Sequence, residues 1–70
     1  MIDFVDVEHI CKSVGIQLLS DETKWYAYSR IIVSCPFNPI PKLDKYFKDY
    51  TLKVVYKKDL RWTIKFFDTL

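Results

Sequence analysis

Seventy residues carrying eleven Lys and Arg against nine Asp and Glu have a formal charge of +2, too small a surplus to declare a nucleic-acid partner by itself. A chain this short makes one domain, residues 1–70, and buries only about 60% of the surface its unfolded form exposes, so its core depends on bulky side chains. Two cysteines are too few for a secreted disulfide scaffold, one glycine excludes glycine-rich phosphate loops, and no apolar run approaches the roughly 18 residues of a membrane span.

Five Phe, five Tyr and two Trp supply the bulk that the core needs. Met1-Ile2-Asp3 lacks the basic and apolar regions of a signal peptide, and the expectation is a soluble, cytoplasmic chain with no membrane partner. Residues 1–22 hold five acids (Asp3, Asp6, Glu8, Asp21, Glu22) against one base, Lys12, so the basic surplus lies from Lys24 onward and the molecule is expected to be polarised. Abundant Lys, Ile, Tyr, Phe and Asp with scarce Gly, Ala and Arg is the bias of an AT-rich reading frame, a kind common in phages and mobile elements.

Asp3 suits a helix N-cap. Phe4, Val7, Ile10, Cys11 and Val14 recur at helical spacing, with Gly15 just beyond, which predicts a helix over 3–14. Residues 16–19 read as a short strand, 20–23 (Ser-Asp-Glu-Thr) as a polar turn, and the aromatic, β-branched stretch 24–34 as a long strand. Both faces of that strand carry large apolar groups, and periodicity does not choose between them. Pro36, Pro39 and Pro41 end it by removing donors and restricting the residues before them. Leu43, Tyr46, Phe47 and Tyr50 then fall at i, i+3, i+4 and i+7, which predicts a helix over 41–50.

The last quarter alternates. Leu52, Val54, Tyr56, Trp62, Ile64 and Phe66 share one face, with Lys53, Val55, Lys57, Arg61, Thr63 and Lys65 on the other. Keeping both apolar sets on one side requires an odd loop centred on Lys58, Asp59 and Leu60, with Lys57 opposite Arg61 and Lys53 opposite Lys65. The expected fold is α+β, in the order α-β-β-α-β-β, with a four-stranded, mainly antiparallel sheet and two helices on one face.

Raw material for catalysis is thin. His9 and Cys11, two apart on a helix, project from different sides, and His9, Cys11 and Cys35 lack the paired spacing of a zinc site. No catalytic, cofactor or metal site is expected. Two surfaces remain as candidates for partner binding. One is the basic hairpin face of Lys53, Lys57, Lys58, Arg61 and Lys65, where like charges face each other and an anionic partner would relieve them. The other is Tyr26, Tyr28 and Arg30 with Phe37 on the proline-rich loop, residue types that anchor protein interfaces. The plainer alternatives are a solvated lysine face, and tyrosines and Phe37 that simply complete the core.

The expected function is that of a small non-enzymatic binding protein that docks on a larger protein or nucleoprotein complex with an acidic surface. An inhibitor of a host or defence system from a phage or mobile element, such as an anti-CRISPR, fits that description. A nucleic-acid-binding regulator using the basic hairpin is the alternative, and a structural subunit or homodimer pairing through a sheet edge is the third.

Overall fold

A computed structural model describes residues 4–25 and 28–68, with the side chains of 7–22 and 29–67. The elements are α1 (Phe4–Ser13), β1 (Gln17–Trp25), β2 (Tyr28–Ser34), α2 (Ile40–Leu43) running into a 3-10 turn (Asp44–Tyr46), β3 (Tyr50–Lys58) and β4 (Arg61–Asp68). All strand pairs are antiparallel and the sheet order is β1-β2-β4-β3. The architecture is the expected α+β one. No described helix is long and apolar enough to cross a membrane.

The start of α1 at Asp3 lies outside the described residues, but its end is built as the sequence predicts. Gly15 takes φ +77, its N–H donates to Lys12 O (3.3 Å), and the Ile16 N–H reaches back to Cys11 O (2.9 Å), a Schellman closure that caps two carbonyls. Val7 and Cys11, one turn apart, are fully buried, and Ile10 and Val14 flank them half-buried. Together with Leu43 and Phe47 they pack on Ile31 and Val33 of β2, Ile64 and Phe66 of β4 and Leu52 of β3. Phe66 meets Phe47 edge-on at 5.1 Å and Tyr50 at 6.0 Å, geometries worth about 0.5–1.5 kcal/mol per pair beyond the area buried. The two-sided ambiguity of β2 is thereby settled: Ile31 and Val33 face the core, while Arg30 and Ile32 face away from it.

Three expectations are corrected. Residues 20–23 are strand, not turn, and β1 runs on through Lys24 and Trp25, so the expected strand over 24–34 is divided between β1 and β2. Ser20, Asp21 and Glu22 stand opposite Ile32, Ile31 and Arg30, Trp25 stands opposite Tyr28, and a bulge at Leu19 interrupts the pairing. An edge strand tolerates polar residues because one side of it faces water, and the Glu22–Arg30 ion pair across the strands adds a reason to pair. The expected helix over 41–50 stops after Leu43 and tightens into a 3-10 turn, so Leu43 and Phe47 are buried while Tyr46 turns outward. Asn38 sets the entry to α2, its Oδ1 accepting the Ile40 N–H at 3.1 Å.

The third correction concerns the β3–β4 hairpin. Lys53 does stand opposite Lys65 and Val54 opposite Ile64, but beyond a bulge at Val55 the pairs become Tyr56 with Thr63, Lys57 with Trp62 and Lys58 with Arg61. The odd residue needed to keep Leu52 and Ile64 on the same side is absorbed in the strand, not in the loop, leaving a two-residue turn of Asp59 and Leu60 with Asp59 at φ 54. Residues after the bulge exchange faces. Tyr56, expected inward, is outward and 59% exposed; Lys57, expected on the basic face, shares the core side with Trp62 and lies 4.7 Å from its ring.

Candidate binding face

Both helices contribute to the cluster on one side of the sheet, and no described helix covers the other. That open face is an array of four rows, because alternate residues of each strand point the same way and the cross-strand pairs align them. The first row is Gln17, Ser34, Arg61 and Lys58; the second is Ser20, Ile32, Thr63 and Tyr56; the third is Glu22, Arg30, Lys65 and Lys53. The fourth, on β4 and β3, is Phe67 and Thr51. Successive rows lie about 6.8 Å apart, two residue rises.

Arg30, Lys53, Lys58, Arg61 and Lys65 supply five cations, and the single acid among the described side chains of the array, Glu22, is already engaged by Arg30. Asp59 lies beyond the first row, in the turn. Lys53 and Lys65 are directly opposed, yet both ammonium groups lie over the Phe67 ring, at 5.8 and 5.2 Å, and the negative face of the ring offsets part of their repulsion. Aromatic and cationic groups therefore alternate along the hairpin: Phe67, then Lys53 with Lys65, then Tyr56, then Lys58 with Arg61.

The expected site residues divide accordingly. Lys53, Lys58, Arg61 and Lys65 are gathered on the open face and Arg30 joins them from β2, whereas Lys57 is excluded by the bulge. Tyr26 lies outside the described residues, and Tyr28 is described only as the first residue of β2. Phe37 is half-buried against the core, with Lys42 Nζ 5.1 Å from its ring, so it caps the core from the loop and is not gathered with Arg30. The residues missed from the sequence are Phe67 and the outward Tyr56. Continuing the alternation past Lys65 places Phe67 outside; the outward Tyr56 depends on the bulge at Val55, which the sequence does not separate from an odd loop.

Elsewhere the chemistry is quiet. Cys11 and Cys35 are free and buried in the same cluster. Burial, aided by the Asp21 carboxylate and by Cys35, pushes the Cys11 thiol up to about 11, and burial also raises Cys35, whose Sγ–H donates to Phe37 O at 3.0 Å. Both are protonated thiols at neutral pH, not nucleophiles. Among the described residues no group of three or more His, Cys, Asp and Glu is placed to hold a metal ion, and His9 is exposed on α1. A shallow groove of about 260 Å³ between α1 and the bulged part of β1 is lined by Glu8, Leu18, Leu19, Ser20 and Asp21, smaller than the usual 300–1,000 Å³ of a ligand pocket. No protein-family model, no curated protein and no solved structure matches this chain.

Proposed function

We propose that this chain is a small non-enzymatic binding module that docks, through the open face of its sheet, on an anionic surface of a larger partner. One observation carries the reading: among the described side chains, five cations and one already-paired acid share the face that the described helices leave uncovered. A face kept only for solubility mixes both signs, as the helical side does with Glu8, Lys12, Asp44, Lys45, Lys48 and Asp49. A single-sign field steers an oppositely charged partner and gains from the counterions it releases. Action by occlusion, as in an inhibitor of phage or mobile-element origin, is one form of this reading and rests on small size and the absence of catalytic groups from the motifs of the sequence. Pairing through a sheet edge is less well supported, since both edge strands, β1 and β3, carry bulges at Leu19 and Val55 that interrupt a docking strand.

The test is retention on an immobilised polyanion. The Lys53→Glu/Lys65→Glu variant is expected to elute at far lower salt than the native chain, while Lys45→Glu/Lys48→Glu, an equal change of charge on the helical side, shifts elution much less. Equal shifts for the two variants would show that only net charge matters and would sink the proposal.

A further inference from the structure

We infer that the anionic partner of the open face is a single strand of nucleic acid, its bases stacked on Phe67 and Tyr56 and its phosphates on the cations between and beyond them; this rests on the basic-face reading above. A folded acidic protein asks for positive charge, and has no need of flat rings interleaved with it. An unpaired strand presents planar bases and phosphates in alternation, and the hairpin presents their complements in alternation: ring, cation pair, ring, cation pair, at steps of about 6.8 Å.

The bulge at Val55 is what makes this arrangement. Had the strand alternated without it, Tyr56 would face the core and Lys57 the partner, leaving stacking and charge on opposite sides of the sheet. Instead Tyr56 is 59% and Phe67 39% exposed, a degree not required for packing and well suited to taking a base. A phosphate also attracts the two ammonium groups more strongly than the neutral Phe67 ring does: passing between Lys53 and Lys65, it separates two opposed like charges, while the ring beside them is uncovered for stacking. Four rows span about 20 Å, enough for roughly four nucleotides.

The decisive experiment is fluorescence anisotropy of a labelled twelve-nucleotide oligothymidylate with the full chain, set beside a duplex of equal length and a polyglutamate peptide of equal charge. We expect the single strand to bind tightest, with log K falling against log salt at a slope of about −3, about 0.7 for each of Lys53, Lys58, Arg61 and Lys65. Tyr56→Ala and Phe67→Leu, both exposed and checked for folding by circular dichroism, should each weaken it roughly tenfold at an unchanged slope. Lys53→Ala/Lys65→Ala should halve the slope. If polyglutamate or duplex binds as tightly as the oligonucleotide and the two ring variants are silent, the single-strand assignment is overturned while the anionic-face reading stands. If none of the three probes binds, both fall.

Discussion

The two faces of this sheet are made from the same four strands by alternate residues, yet they do unlike things. The inner face holds Ile31, Val33, Leu52, Ile64 and Phe66 against two helices, and the charges it takes among the described side chains are Lys57 at its rim, over Trp62, and Asp21 of β1, opposite Ile31 and acting on Cys11. The outer face holds Arg30, Lys53, Lys58, Arg61 and Lys65, half of the downstream cations, and leaves two rings partly in water. What differs is the cost of change: an inner residue is fixed by close packing on every side, whereas an outer one is exposed to solvent on one side, and the chain is freer to specialise it for a partner.

Adjacent residues of β4 give the sharpest contrast. Ile64→Ala, at a fully buried position, should lower the unfolding free energy by about 2–5 kcal/mol, read from a shift in urea midpoint at constant slope. Thr63→Ala beside it should stay within about 0.5 kcal/mol. A large loss at Thr63 would mean that the outer face is packed after all. The inner face also leaves a mark on alkaline stability. Because Cys11 is protonated in the folded chain up to about 11 but near 9.0 when unfolded, its contribution is complete below about pH 9 and is lost as pH rises toward 11. Native protein should therefore weaken over that window more steeply than Cys11→Ala.

Smaller effects follow at the boundaries between the faces. Gly15→Ala should cost about 1–2 kcal/mol from backbone strain alone, since φ is +77 and a methyl group there meets nothing within 4 Å; a loss near zero would show that the closing turn of α1 relaxes. Trp62→Phe removes the Nε1–H bond to Cys35 O (3.0 Å) and part of the ring beneath Lys57, an expected loss of about 1 kcal/mol in the same urea assay. Least of all, Lys53→Ala should change stability by less than about 0.5 kcal/mol, and upward, because it removes one of two opposed like charges while it weakens any polyanion binding. A Lys53→Ala variant that is markedly less stable would assign that lysine to the fold and not to a partner.

The inner face was readable in the sequence because a core enforces its period: Val7 and Cys11 one turn apart, Ile31 with Val33, and Leu52, Ile64 and Phe66 all follow the 3.6- or two-residue pattern and are buried. Errors gathered where no core enforces anything. On the edge strand β1, the polar run at 20–23 resembles a turn because propensity does not register the cross-strand partners Ile32, Ile31 and Arg30. At the end of β3, a bulge and an odd loop satisfy the same parity for Leu52 and Ile64, and only coordinates distinguish them. The basic face was therefore legible in four of its hairpin cations, Lys53, Lys58, Arg61 and Lys65, and Phe67 follows from the same alternation, but the outward Tyr56 was not legible, since it depends on the bulge. The helix over 41–50 failed for a related reason: at four residues plus one tight turn, Tyr46 leaves the stripe that simple i+3 counting gives it.

The central claim is that the open face of β3 and β4 is the working surface. Mapping backbone amide shifts during titration with the oligothymidylate tests it most directly. The account predicts that perturbations concentrate at Thr51, Lys53, Tyr56, Lys58, Arg61, Lys65 and Phe67, with α1 and the loop at Phe37 unmoved. Shifts confined to the groove between α1 and β1, or to Phe37 and α2, would contradict it.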